Sequence, residues 1–496
     1  MRIAVLVLYV LMMAGVLVFS ARKTQTLNDF FLGGGKVGPW FSAFSYGTSY
    51  FSAVIIIGYA GKIGWDHGLS TVWIGIGNAL IGNLLAWKLL AGRANSMARE
   101  LDVCTMPGFF EKRYNAKGMG LFSAVLIFVF LVPYSASVYQ GLGYLFEAAL
   151  GVNFFWCIVG ISLLAGLYLF AGGYRATAIS DFIQGCVMIV GIVLMVIFVV
   201  RGGAYDPETG TRGGLVQALA RMGQIGGEGF NTLLGPKGKG ASLIALVILT
   251  SVGTWGLPQM MHKFFAIRDQ AAIRQATVIS TAFCLLLAGG AYFAGSFGKQ
   301  ILGGVVPEGG LDAVMPTVFL SEAVAMPDVL IGLVVVLVLS ASISTLTALV
   351  LSSSSAIAID LCGALMPKLK PERQTLIMRC LCVVFVLLSL LIAFGLQNTP
   401  IVTLMAFSWG SLAGSFLAPF LYGLFWRRTT RTGAWAGMVL GLLTSLLAPT
   451  LGLVPDTVFG GVLAMIVSLV TVPVVSLLTQ SSVPSAAKLV RTEPLR

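Results

Sequence analysis

Long apolar runs separated by short polar segments set the first limit on this chain. They begin near residues 3, 40, 69, 119, 154, 179, 242, 276, 329, 376, 400, 432 and 457. Each holds about 20 residues, the length an α-helix needs to cross a bilayer. The expectation is an all-α polytopic membrane protein of about thirteen transmembrane helices, a single transmembrane domain over residues 1–496. A soluble domain carries about 25% charged residues, whereas this chain has 10% charged and 57% hydrophobic residues. A soluble enzyme is excluded, and so is a disordered chain. The first run, Ile3 to Phe19, has the look of a secretory signal, but Arg22 and Lys23 follow it directly and only Arg2 precedes it. That balance favours a retained helix with its N-terminus outside, and an odd number of spans then puts the C-terminus in the cytoplasm.

The basic residues test this count. Of the 31 Lys and Arg, 23 fall on the expected inner segments, among them Arg113, Arg175 and a group assigned to one inner loop, Lys263, Arg268 and Arg274. The other 8 lie outside, while the acids divide almost evenly. This is the positive-inside pattern, and it explains the net charge of +12 without nucleic acid. Outer loops are expected at Gly202–Gly240 and Gly303–Asp328, with a short amphipathic helix over Leu215–Met222 in the first, and no soluble domain is expected. The seven Cys are odd in number, and Cys380 and Cys382 have no second pair to complete a zinc site.

Polar clusters inside the spans locate function, because lipid-facing helices need none. The second span reads Ser45-Tyr46-Gly47-Thr48-Ser49-Tyr50-Phe51-Ser52, and the seventh reads Thr250-Ser251-Val252-Gly253-Thr254-Trp255-Gly256-Leu257-Pro258-Gln259. Close packing of small residues between ordinary helices gives such a pattern in one span. A matched pair five spans apart points instead to two interrupted helices of an inverted-repeat transporter. In the ninth span Ser344, Thr345 and Thr347 lie within one turn and can present oxygen to a hard cation such as sodium, whereas Ser352–Ser355 reads as hydroxyls bonded to their own helix. Asp181 is the one carboxylate clearly drawn into a span, either to meet a cation or to pair with Arg175 at the rim. His67 and His262 form no metal spacing, and no nucleotide-binding or hydrolase motif is present.

Together with these clusters, Asp29-Phe30-Phe31-Leu32-Gly33-Gly34-Gly35, the stretch Gly172–Gln184, Ser352–Leu361 and Trp426-Arg427-Arg428-Thr429-Thr430-Arg431-Thr432-Gly433-Ala434 occur in order along the chain. In these residues the chain resembles the sodium/solute symporter family, from about Asp29 to Gly441. That family includes the sodium/proline, sodium/pantothenate, sodium/glucose and sodium/monocarboxylate transporters. The resemblance implies a five-plus-five inverted-repeat, leucine-transporter-like core over about 40–201 and 242–425, with peripheral helices at about 3–20, 432–452 and 457–478. It further implies a sodium site formed by Thr48, Phe51 and Ala341 through carbonyls and by Ser344 and Thr345 through hydroxyls, with Ser52 nearby. A second sodium in some members would use Asp181, Ser344 and Thr347, but one further hydroxyl of that site is Ala348 here.

On the solute side, Tyr50 stands where the proline transporter has an acid, and Thr250 and Thr254 stand where it has aromatics, although Pro258 is kept. Proline is therefore not favoured. Candidate wall residues are Tyr50, Asn78, Tyr139, Gln140, Trp255 and Gln259, each of which would serve equally as glue between helices. The functional expectation is sodium-coupled uptake of a small organic solute, such as a carboxylate, amino acid or vitamin-like acid, across the inner membrane by alternating access. Sodium would be a co-transported ligand. No catalytic residue, organic cofactor, nucleic acid or obligatory protein partner is expected. Proton coupling through Asp181 and a transporter-like solute sensor are the alternatives.

Overall fold

The computed structural model describes residues 1–21, 37–366 and 371–480, without the side chains of 17–21, 164–165, 167–176 and 371–372. The Asp29–Gly35 motif and the tail after Gln480 lie outside the described residues. Helices account for the described chain almost entirely, as a bilayer requires of segments that must satisfy their own backbone groups. Several helices begin where a side chain accepts the first free N–H groups: Asp269 from Ala272, Thr430 from Gly433, and Asp456 from Val458 and Phe459.

Among the described residues, nine helices are long and apolar enough to cross a membrane, or ten with the bent pair Gly240–Gly256 and Pro258–Ala266 taken as one. Thirteen such helices are not seen, and three places account for the difference. The first expected span is described over a shorter apolar stretch, Arg2–Val16. The second and third merge into an unbroken helical stretch, Val54–Glu100. Its neighbours nevertheless show a reversal at Gly68, which takes the left-handed φ of 58°. Gly47 and then Gly64 meet Phe283 and then Gly295, whereas Gly75, Asn83 and Gly92 meet Gly289, Ser280 and Gln270 in turn. The fifth and sixth expected spans form one helix, Phe154–Gly203. At about 1.5 Å per residue its 50 residues would cover roughly twice a bilayer. Phe154 packs on Gly143 close to Tyr144, whose hydroxyl donates to Gln397, and Gly203 packs on Phe297. Tyr144, Gln397, Lys62 and Asp312 line one outer hollow of about 270 Å³, and Gly298 meets Val314 just beyond Asp312. Both ends of Phe154–Gly203 thus lie toward this one hollow.

The amphipathic helix expected in the outer loop is present as Leu215–Gly226, seated through Ala218 and Met222. A second outer segment, Leu311–Leu320, covers the second span: its Asp312 Oδ2 accepts from the Ile401 N–H at 3.0 Å, at the start of helix Ile401–Phe425. The outermost helices Arg431–Thr450 and Thr457–Leu478 pack on Ile401–Phe425 through facing glycines. A Cβ on Gly441 would lie 1.9 Å from the Gly414 carbonyl, and one on Gly410 2.7 Å from the Gly461 Cα. Backbones approach this closely only through small residues, the usual means of helix association in lipid.

Candidate functional site

The second span is interrupted at its middle. Helix Pro39–Tyr50 ends with Phe51 in extended backbone, φ −110° and ψ 117°, and helical structure resumes at Ala53. The Phe51 N–H closes the last turn on the Gly47 carbonyl, so the next carbonyls face away from their own helix unpaired within it. The helix Asp328–Ser355 lies across this gap. Thr345 Oγ1 stands 3.3 Å from the carbonyls of both Thr48 and Ser49 and 3.1 Å from that of Ala341. Ser344 Oγ donates to Thr48 Oγ1 at 2.7 Å. On the far side of the gap the Ala53 N–H donates to Ser342 Oγ and the Val54 N–H to Ser52 Oγ. The structure therefore brings Thr48, Ala341, Ser344 and Thr345 together at the break marked by Phe51 and Ser52, and buries them all. Such a cluster has the chemistry a hard cation needs: buried neutral oxygens and a helix C-terminus carrying partial negative charge.

Thr347 does not join it. Its hydroxyl donates to the Ser344 carbonyl at 2.9 Å, within its own helix.

The seventh span is also interrupted, with a bend of 49° between Gly240–Gly256 and Pro258–Ala266. A 3₁₀ turn, Gly253–Gly256, leads to extended Leu257 and then to Pro258, whose missing N–H suits the first helical position. Here the freed groups are satisfied partly within the segment and partly by the second span. Thr254 Oγ1 donates to the Ser251 carbonyl at 2.7 Å, the Leu257 N–H to Thr254, and the Tyr50 hydroxyl to the Thr250 carbonyl. The end of the seventh span is tied to the start of the second and to the third: the Arg268 N–H donates to the Val37 carbonyl, and Asn95 Nδ2 donates to the carbonyls of Phe264 and Ile267.

Asp181 is buried beside the first break, where Ser45 Oγ donates to its Oδ2 at 2.5 Å. The same Ser45 oxygen accepts from Lys263 Nζ at 2.7 Å, which stands 3.9 Å from the carboxylate. Lys263 was assigned to an inner loop by its sequence neighbours. The structure places it in the last turn of Pro258–Ala266, fully buried. Pairing of Asp181 with Arg175 falls on a side chain outside the described residues. Arg113, also assigned to an inner loop, is buried and donates to the carbonyls of Gly423 and Trp426 at the end of Ile401–Phe425.

Of the expected wall residues, Tyr50 and Asn78 sit between the two breaks. Asn78 Oδ1 accepts from Thr250 and Ser251, and its Nδ2 is buried without a hydrogen-bond partner. Gln259 is buried in the first turn after Pro258. The structure does not bring the others in. Gln140 Nε2 donates to the Leu396 carbonyl, Trp255 is half-buried and bonded to the Ile81 carbonyl, and Tyr139 is buried about 200° around its helix from Gly141. The face of Lys117–Leu150 that meets the break is marked by Gly141, where a Cβ would lie 2.9 Å from that of Ala53. Seven residues, about two turns, before it stands Tyr134. Its ring meets Trp409 edge-on at 5.7 Å; Trp409 lies 6.3 Å from Tyr50, which stacks on Phe51 at 4.6 Å. Tyr134 and Trp409 are not among the expected wall residues, although the aromatics Tyr50, Tyr139 and Trp255 are. The i, i+7 relation to a small residue was the signal that would have found Tyr134.

The profile of the sodium:solute symporter family matches residues 30–441. The chain is 29% identical to a high-affinity proline transporter of Bacillus subtilis, over 95% of this chain and 96% of that one. It is 28% identical to a sodium/proline symporter of Escherichia coli, over 90% and 89%. Among solved structures it resembles a Na+-coupled sialic acid symporter in its outward-open state, with a TM-score of 0.79 and 19% identity, over 96% of this chain and 97% of that one. At that identity the likeness shows the fold: the inverted-repeat transporter core with two interrupted helices.

Proposed function

Because the chain belongs to the sodium:solute symporter family, we propose that it carries a small organic solute into the cell together with sodium, and that proline is the first solute to test. It is a transporter, not an enzyme. The observation that carries the sodium reading is the Thr345 hydroxyl held against the carbonyls of Thr48, Ser49 and Ala341, with Ser344 beside it. Sodium would draw these oxygens inward and clamp the broken second span to Asp328–Ser355. That raises the affinity of the adjoining solute site and favours closure of the outer side. The core repeats would run over about 40–201 and 242–425.

Tyr50, Thr250 and Thr254 spoke against proline in the sequence. The names of the curated relatives speak for it, and they outweigh three positions read without a bound solute. The buried rings of Tyr50, Phe51, Tyr134 and Trp409 would hold an apolar ring, while the Asn78 amide would receive a carboxylate.

The test is uptake of labelled proline into proteoliposomes under a sodium gradient at constant pH, with a panel of carboxylates and amino acids as competitors. Uptake is expected with sodium and not with choline. Equal uptake in choline, or uptake driven by an imposed pH gradient alone, would overturn the sodium reading. For orientation in the plasma membrane, a reporter after Arg496 is expected in the cytoplasm and one near Gly210 outside. Finding both on one side would overturn that topology.

A further inference from the structure

The buried pair beside the sodium cluster contains a cation of its own. Asp181, Ser45 and Lys263 come from three different helices and form one chain of contacts. The ammonium donates to the Ser45 hydroxyl at 2.7 Å, and that hydroxyl donates to the carboxylate at 2.5 Å. Both charged groups are buried, Lys263 at 2% and Asp181 at 1% exposure. Ser344, whose hydroxyl donates to Thr48 in the sodium cluster, also reaches toward the Asp181 carboxyl, so the two cation positions adjoin. Among the described residues, Tyr9 of the first helix also faces the carboxylate, and Gln184, on the same helix as Asp181, donates to the Tyr9 hydroxyl.

A second sodium at Asp181 would need hydroxyl oxygen from the ninth span. Ser344 can offer that oxygen and Ser45 another, although the Thr347 hydroxyl is turned back to the Ser344 carbonyl and the next position is Ala348. Sodium would also have to enter beside an ammonium already within about 4 Å of the same carboxylate, where like charges repel strongly in a low-dielectric interior. One carboxylate neutralises one cation.

We propose that the Lys263 ammonium is a resident cation standing where a second sodium would bind, so that the carrier couples solute to a single sodium. This rests on the sodium-symport reading above. It assigns Lys263 as the residue that sets the stoichiometry, acting through Asp181 rather than on the solute.

The experiment uses purified full-length protein and sodium itself as probe, followed by a sodium-dependent rise in thermal stability, together with solute accumulation in proteoliposomes at zero membrane potential. Wild type is expected to titrate as one site and, under a tenfold sodium gradient, to accumulate a neutral solute about tenfold; two sodium ions would give about a hundredfold. Lys263→Ala exposes the carboxylate, and its sodium titration should steepen toward two sites, whereas Lys263→Arg should keep one. A two-site titration or hundredfold accumulation in wild type overturns the inference, and so does a one-site curve in a folded Lys263→Ala. Should that variant fail to fold, the wild-type stoichiometry decides alone. If wild type shows no response to sodium, the symport reading falls first and this inference falls with it.

Discussion

The two interrupted spans carry the same sequence signal and put it to different use. At the second span, two residues outside any helix, the first of them extended, separate the half-helices, and the oxygens freed there face the hydroxyls of another helix, Ser344 and Thr345. At the seventh, a 3₁₀ turn and Pro258 bend the chain, and Thr254 and Leu257 return hydrogen bonds to the same segment. A run of Gly, Ser and Thr therefore marks where a helix breaks. Whether the break can take up a ligand depends on what lies across from it. In the proposed reading the first break is left for a cation, while the groups freed at the second are already paired. Asp181 and Lys263 join the two, since Lys263 ends the helix that follows the second break and Ser45 belongs to the helix that precedes the first.

The largest effect that would sharpen this contrast is expected at that joint. In sodium-free detergent, Lys263→Met should lower stability by about 3–5 kcal/mol, as for a buried ion pair stripped of one partner, and adding Asp181→Leu should recover most of it. Thermal unfolding measures both, and a single variant as stable as wild type would mean that the pair does not join the halves. Next comes the packing that flanks each break. A Cβ on Gly64, beyond the first, would lie 2.2 Å from the Gly295 carbonyl oxygen, whereas one on Gly253, within the second, has its nearest neighbours at 3.7 Å. Gly64→Ala is expected to lose about 1–3 kcal/mol by overpacking and Gly253→Ala far less. The same unfolding assay ranks them, and equal losses would break the contrast.

A smaller change is expected at Thr254. Removing the hydroxyl that donates to the Ser251 carbonyl of its own segment should lower stability by about 0.6 kcal/mol, the average for hydrogen bonds in membranes. Sodium dependence of uptake should not move, and a shift there would show that the second break also serves the ion. The smallest effect lies outside the membrane. The Ala272 N–H and then Arg268 bond to the carboxylate of Asp269 and hold its pKa below the usual carboxylate range. A lowered carboxyl pKa stabilises the fold above its ordinary value of about 4 and loses that contribution as pH falls through the folded value. Asp269→Asn should keep the cap and flatten this acid limb below about pH 4. An unchanged limb would show that the cap carries no charge effect.

Much of this contrast was legible in the chain itself. Span lengths, the Gly and hydroxyl clusters and Pro258 locate both interruptions, and the spacing of Ser344 and Thr345 places them on one turn. What could not be read is which neighbour a side chain meets. Lys263 was taken for a loop cation because Arg268 follows soon after it; only the packing of the second, sixth and seventh spans shows that its ammonium ends beside Asp181. Gln140 was chosen for its polarity, but on its helix it lies about 100° from Gly141, the residue that meets the break, and so it bonds to Leu396 instead. Thr347 shares a turn with Ser344, yet its hydroxyl is retained by its own backbone. Periodicity assigns a residue to a face, but the partner on that face is a property of the assembled bundle.

The most direct test sets the first break against the second through sodium. Half-maximal sodium for solute uptake should be measured for Ser344→Ala, Thr345→Ala, Ser353→Ala and Thr254→Ala beside wild type. Loss of a hydroxyl that ligates the ion removes about 1.5–3 kcal/mol and should raise the sodium requirement roughly 10- to 150-fold for the first two variants. Ser353→Ala and Thr254→Ala should match wild type, and solute affinity in Ser344→Ala and Thr345→Ala should recover at high sodium, because the coupling between the two ligands is reciprocal. If Ser344→Ala and Thr345→Ala show the sodium dependence of wild type, the cation does not bind at the first break.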